Sequence, residues 1–249
     1  WYAKETESIC TGCSTGCNVK VAVRDDQIVQ VKSRLNSQVN KEWLCDEGRY
    51  GFLRFQPASR LTAPQMRKGE AFAKVSPKEA YEEAAKLKSG SESDTLIFLS
   101  PLLSLEEVLL AFEFSEKVIG LPAGSTSLSM QIRQRELTSV QAKLISPDYS
   151  ANARAFSLLV GDPGESSWRS SLENRYQSNL KKLASGSVKK VLLVGDLAIH
   201  PDHLDEAISK GIHAAEVSVA ITATDVHSRE AGSQSLASDN CKVLLPGRS

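Results

Sequence analysis

The chain has 249 residues, 41% apolar and 24% charged, and its thirty Lys and Arg balance thirty Asp and Glu for a formal charge of zero. Such usage excludes disordered, collagen-like and coiled-coil chains. The balanced charge gives neither the basic footprint of a nucleic-acid binder nor a polybasic membrane-binding segment. No apolar run approaches the ~18 residues of a spanning helix, so no direct membrane insertion is expected. The opening residues Trp1 to Ser8 are too polar for a signal peptide. A first residue other than Met, and a last stretch from Leu244 to Ser249 without a helix stop, are what a piece of a longer chain would show.

The first informative element is a cysteine loop. Four of the five cysteines, Cys10, Cys13, Cys17 and Cys45, fall in the first 45 residues, and only Cys241 lies beyond. A disulfide framework would spread them more evenly and belongs to small secreted domains. The spacing Cys10-x2-Cys13-x3-Cys17 followed by a distant Cys45 suits a [4Fe–4S] cube, which takes one thiolate per iron. Three ligands come from one tight loop and the fourth returns from elsewhere. Gly12 and Gly16 would let the backbone approach the inorganic core and aim N–H groups at it, and Ser14 and Thr15 could add hydroxyl donors. The alternatives are structural zinc, which usually presents two C-x2-C knuckles, and four unrelated buried cysteines.

Between the third and fourth cysteines, Val19, Val21 and Val23 alternate with Lys20, Ala22 and Arg24, Asp25-Asp26-Gln27 turns the chain, and Ile28 to Val31 returns as a hairpin. A second loop from Asn36 to Trp43 then delivers Leu44-Cys45. Trp43 and Leu44 read either as a seal that keeps water from the thiols or as ordinary core residues.

After Cys45 the chain reads as a loop-rich exit through Arg54, Pro57, Arg60 and Pro64. Pro77 to Leu87 reads as a helix with Pro in its first turn. Thr95–Leu99 is a continuous apolar strand of the kind buried in parallel sheets. Leu105 to Val118 is helical, with Gly120 placed as its cap. Lys190 to Val194 is a second buried strand, Pro201 to Lys210 a helix, Ala215 to Ile221 a third strand and Val243 to Leu245 a fourth. This alternation predicts an open, mostly parallel α/β sheet. Gly195-Asp196 after the second strand lacks the glycine pattern of a dinucleotide site. His200, His203, His213 and His227 form no metal-ligand pair, and no Ser-His-Asp arrangement is evident. Cys241 reads as a small buried hydrophobe in a strand.

The run Thr11-Gly12-Cys13-Ser14-Thr15-Gly16-Cys17-Asn18, followed by Val39-Asn40-Lys41-Glu42-Trp43-Leu44-Cys45-Asp46-Glu47-Gly48-Arg49-Tyr50-Gly51-Phe52, resembles the iron–sulfur domain that opens molybdopterin oxidoreductases. Within that superfamily the run is most similar to the large iron–sulfur subunit of bacterial NADH:quinone oxidoreductase (complex I). The resemblance implies a [4Fe–4S] cluster held by Cys10, Cys13, Cys17 and Cys45 in a small hairpin-containing domain, residues 1–63. An α/β domain of the molybdopterin oxidoreductase type, residues 64–249, would follow. The implied function is electron transfer within the enzyme complex, with no substrate site in this chain and with the matching cluster off the main electron route. The implied partners are other subunits of the hydrophilic arm, at the cytoplasmic face of the bacterial inner membrane, where the chain would sit peripherally. Segments such as Ser146 to Asn152 resemble the superfamily's pterin-binding scaffold. Many molybdenum members carry Lys two residues after the fourth cysteine; here Glu47 stands there and would oppose anionic pterin phosphates, so no molybdopterin is expected. The alternatives left open are a molybdenum or tungsten pterin oxidoreductase, such as a formate dehydrogenase, and a zinc-stabilised interaction module.

Overall fold

A computed structural model describes residues 2–55, 61–132, 134, 136–143, 146–148, 150–161, 164, 167–195, 206–222 and 241–246. The amino-terminal part is a three-stranded antiparallel sheet of β1 (Lys4–Ile9), β2 (Asn18–Arg24) and β3 (Gln27–Ser33), in that order. Only Asp25 and Asp26 turn between β2 and β3, both with positive φ (51° and 59°). That is the handedness a two-residue hairpin turn requires, so Gln27, expected in the turn, already begins the returning strand. Strand β1 is not expected from the sequence. Its residues are all exposed, so no apolar alternation advertises it, and it is held by pairing such as Thr6 opposite Val21 and Ile9 opposite Asn18. Val19, Val31 and Leu44 make a small core beneath the sheet, with Cys10, Cys17, Ile28 and Phe52 packed against it. Helix α1 (Asp46–Tyr50) and a 3-10 turn (Gly51–Phe55) follow.

The expected loop-rich exit is in part a hairpin. Strands β4 (Gln65–Lys68) and β5 (Ala71–Lys74) pair antiparallel around Gly69, whose φ of +67° suits it to the turn. Arg54, Pro57 and Arg60 are not among the residues whose side chains are described. Helix α2 (Pro77–Ala84) starts from a capping box, in which the Ser76 hydroxyl accepts from the Glu79 N–H and Glu79 reaches back to the Ser76 N–H. Strand β6 (Thr95–Leu99) is buried at every position, as its unbroken apolar run predicts. Helix α3 (Leu105–Phe114) carries a second capping box, Ser104 with Glu107. It widens into a π turn over Ser115–Ile119 and stops at Gly120, left-handed with φ +90°.

Next come β7 (Leu128–Met130), α4 (Ala153–Leu159), the 17-residue α5 (Trp168–Ala184), β8 (Lys190–Val194), α6 (Glu206–Ala214), β9 (Val217–Thr222) and β10 (Val243–Pro246). The helix expected over 201–210 therefore runs on to Ala214, and 201–205 lie outside the described residues. The larger sheet has the order β5-β4-β10-β9-β8-β6-β7. Its five strands from β10 to β7 are parallel, and the β4–β5 pair adds an antiparallel edge. Successive side chains leave opposite faces of a strand. Ile97, Leu99 and Leu192 accordingly enter one core with Val108 and Phe156. Leu96, Phe98 and Leu193 enter another with Leu183 and Ile212. Both faces are covered, which is why the strands read as continuous rather than alternating apolar runs.

Candidate iron–sulfur site

Three of the thiols belong to the loop that joins β1 to β2. The Cys10 N–H donates to the Cys17 carbonyl at 2.8 Å and closes the loop at its base, while the Gly16 N–H donates to the Cys13 carbonyl at 3.4 Å. Gly16 has φ +61°, a conformation that a residue with a Cβ adopts only at a cost. The Gly12 N–H points at Cys10 Sγ, 3.5 Å away. Gly12 thus makes the backbone-to-sulfur approach expected of both glycines, whereas the Gly16 N–H is directed at a carbonyl.

The fourth thiol arrives on α1. Cys45 is its N-cap, and its Sγ accepts from the Gly48 N–H at 3.4 Å. The turn so formed lies against the first loop, because a Cβ placed on Gly48 would stand 3.3 Å from Cys10 Sγ. The Cys45 turn and the first cysteine loop thus meet at Cys10. Burial first, then the neighbouring thiols of Cys10, Cys13 and Cys45, push the Cys17 thiol up to about 11. Cys17 therefore resists ionising on its own, and a polynuclear cation would supply the charge that lets thiolates share one cage. A [4Fe–4S] cube takes one thiolate per iron, and the donor set of four cysteines, with the Gly12 and Gly48 N–H groups directed at sulfur, fits such a cluster.

Two expectations need correction. Trp43 is 67% exposed and seals nothing, whereas Leu44, at 7%, does lie beneath the thiols. In the loop that delivers Cys45 the Trp43 carbonyl accepts from Asn40 Nδ2 at 3.1 Å while the indole stays exposed. The Ser14 hydroxyl is not aimed at the thiols but shares a hydrogen bond with the Ser146 hydroxyl at 3.1 Å, and the Ser14 N–H donates to the Asp148 carbonyl at 3.1 Å. The cysteine loop is thereby fastened to the α/β part of the chain. Asp148 is itself held by Arg169 at 2.8 Å and by the Ser150 N–H at 2.8 Å.

Sequence reasoning missed Asn18, Asn40, Asp148 and Arg169. The available signal was an Asn directly after Cys17 and another five residues before Cys45, both polar yet buried. Cys241 is fully buried just ahead of β10, among Leu61, Ala220 and Leu244, rather than within a strand. His213 is exposed; His200, His203 and His227 lie outside the described residues, as does Asp196.

Beside Cys10 an open cleft of about 1110 Å³ runs between the small sheet, α3 and the ends of β8 and β9. Val21, Val23, Ile28, Leu110, Phe114 and Val118 wall it, and its described charges are Asp26, Glu47, Glu107 and Glu113 against Lys117. That surplus of carboxylates is a poor match for a phosphate-bearing ligand.

The thiol constellation and the two-sheet fold define an iron–sulfur protein, and residues 3–56 match the family model described as the molybdopterin oxidoreductase Fe4S4 domain. Over that span the chain is similar to the Fe4S4 domain of molybdopterin oxidoreductases, and over longer stretches it is similar to subunits of NADH-quinone oxidoreductases. It is 36% identical over 90 residues to the NADH-quinone oxidoreductase G subunit of Pseudomonas fluorescens, covering 36% of this chain and 10% of the relative. It is 29% identical over 168 residues to NADH-quinone oxidoreductase subunit 3 of Thermus thermophilus, covering 66% of this chain and 20% of the relative. Against the G subunit of Salmonella typhimurium it is 24% identical over 217 residues, 81% of this chain and 23% of the relative. The chain therefore spans a quarter or less of the length of these relatives. Among the described residues no helix is long and apolar enough to cross a membrane.

Proposed function

We propose that Cys10, Cys13, Cys17 and Cys45 hold one [4Fe–4S] cluster and that the chain is an electron-transfer module of an NADH:quinone oxidoreductase. The observation that carries this is the closure of two separate segments on one another, Cys10 to Cys17 through a backbone hydrogen bond and Cys45 to Cys10 across Gly48. When bound, the cluster supplies one-electron transfer without a change of ligands. The residues of the chain hold the thiolates in place, aim the Gly12 and Gly48 N–H groups at sulfur, and shield one side with Leu44 and Phe52. Residues 1–63 form the cluster domain and residues 64–249 the α/β scaffold. NADH oxidation and quinone reduction take place on other subunits of the hydrophilic arm, and the chain sits peripherally at the cytoplasmic face of the inner membrane. The relatives' names and the superfamily match support this reading.

The test is metal and sulfide analysis of anaerobically purified protein. About four iron and four sulfide per chain, without molybdenum or tungsten, is the expected result. A single zinc without iron overturns the reading in favour of an interaction module. Molybdenum or tungsten overturns the carrier role in favour of a pterin enzyme.

A further inference from the structure

The Cys17 strand and the Cys45 loop are 28 residues apart, and a cage that needs both requires something to fix one against the other. Asn40 is placed to do this. It is 7% exposed, and its side-chain amide uses both of its ends. Oδ1 accepts from the Asn18 N–H at 2.9 Å, directly after Cys17. Nδ2 faces the carbonyls of Trp43 at 3.1 Å, Arg34 at 3.2 Å and Asn18 at 3.4 Å. The Trp43 N–H in turn donates to the Asn40 carbonyl at 2.8 Å. Trp43 lies two residues before Cys45, so a single planar amide ties the residue after one thiol to the approach of another.

Arg34 completes the arrangement. Its N–H donates to the Asn18 carbonyl at 2.9 Å, its guanidinium donates to Asn18 Oδ1 and it pairs with Glu7 of β1 at 3.3 Å. Asn18 is thus held on its N–H, carbonyl and side chain together. A buried network of this kind specifies one geometry, because displacing it leaves several polar groups unpaired at once.

We infer that Asn40 is a positioning residue that sets the Cys45 thiolate against the other three and so governs how firmly the iron at that ligand is retained. This rests on the cluster reading above and adds to it which residue outside the thiols controls cluster integrity. The relevant chemistry is oxidative loss of one iron: the Fe–Cys45 bond and that iron's bonds to sulfide break, and [4Fe–4S]2+ gives [3Fe–4S]+, Fe2+ and one electron. Added ferricyanide accepts the electron and becomes ferrocyanide, and the freed Cys45 thiolate takes a proton from water.

The experiment follows [3Fe–4S]+ by EPR in anaerobically purified protein after ferricyanide addition, for the wild type, Asn40→Ala and Leu193→Ala. Leu193 is buried in the core on one face of the larger sheet, which holds none of the four thiols. The variant Asn40→Ala is expected to lose iron on the order of tenfold faster, in line with the loss of one or two buried hydrogen bonds. The variant Leu193→Ala, with a comparable or larger fall in melting temperature, is expected to match the wild type. Equal rates for Asn40→Ala and the wild type overturn the inference, as does equal acceleration in Leu193→Ala. Should Asn40→Ala fail to fold, Asn40→Asp serves instead, since it keeps the acceptor toward Asn18 and loses the donors toward Arg34 and Trp43. A wild-type rate in Asn40→Asp overturns the inference, and an increase upholds it. A wild type without iron would instead defeat the cluster reading, so the two failures are distinguishable.

Discussion

Gly48 stands against Cys10 so closely that a methyl group in place of its hydrogen would sit 3.3 Å from the Cys10 sulfur, and 2.5 Å from Cδ1 of Leu44. The close approach explains why glycine occupies the third position of a helix, where alanine is favoured by about 1 kcal/mol on propensity alone. Leu44 cannot swing aside freely, because it is packed under Val19 and Val31. Overpacking of this kind costs about 1–3 kcal/mol, so sterics outweigh propensity. Gly48→Ala is expected to lower the denaturation midpoint and to reduce iron per chain, while the α/β sheet keeps its circular dichroism. Unchanged iron content with raised stability would show that α1 is free to shift away from Cys10.

The two isolated cysteines make opposite forecasts. Cys45 reaches the thiol cluster through the cap of α1, whereas Cys241 is fully buried beside Leu244 and Ala220 in the sheet core. Cys241→Ala removes one sulfur from a packed site and should cost about 1 kcal/mol, with the EPR signal of the reduced cluster unaltered. Cys45→Ala should abolish or convert that signal at little cost to the larger sheet. An altered signal in Cys241→Ala would mean that Cys241 communicates with the cluster.

Four of the five parallel strands were legible because they are largely apolar runs buried on both faces, as Thr95–Leu99 and Lys190–Val194 are; β7, only three residues long with a Ser at its centre, was not. Strand β1 was not, since its stabilisation comes from the partner strand and not from its exposed side chains. Helix α5 escaped for a related reason: residues 168–184 are rich in Ser, Asn, Lys and Arg, and only Trp168, Leu172, Tyr176 and Leu183, with Asn179, are buried. At the site, the cysteines could be read from spacing. Asn40 could not, because its importance lies in carbonyl and amide partners that meet it only once the Asn36–Trp43 loop has folded. Trp43 misled for the same reason.

Acid sensitivity has an identifiable source where the segment before β6 meets the loop after α3. Glu92 accepts from the Ser125 hydroxyl at 2.6 Å and from the Thr126 N–H at 3.0 Å, and these bonds hold its carboxyl below the usual carboxylate range. A depressed folded-state pKa contributes stability that is present above the unfolded value and is lost as pH falls through the folded one. The wild type is therefore expected to lose melting temperature below about pH 4.3, where an unperturbed glutamate titrates. Glu92→Gln, which keeps an oxygen acceptor without the charge, should show a shallower fall over the same range. Parallel pH profiles for the two proteins would place the acid-sensitive group elsewhere.

The fastening of the cysteine loop to the α/β part runs through one buried carboxylate. Asp148 lends its carbonyl to the Ser14 N–H, and its side chain is only 5% exposed while that of Arg169 is 47% exposed. Removing the guanidinium strands the carboxylate with the Ser150 N–H as its remaining partner in this arrangement. A fully buried pair would cost about 3–5 kcal/mol to break from one side, but the solvated half of this one argues for about 1–2 kcal/mol. Arg169→Met keeps the apolar stem over Trp168, whose ring lies 4.7 Å from the guanidinium carbon, and so isolates the charge. The expected outcome is a lower melting temperature together with faster amide exchange at Ser14, because the segment that accepts its N–H is no longer held down. Exchange at the amides of β2 should not change, since those bonds are made within the small sheet. If Ser14 exchanges at the wild-type rate in a destabilised Arg169→Met, Asp148 keeps its place without the charge pair, and the loop is anchored by the Ser14–Ser146 contact instead.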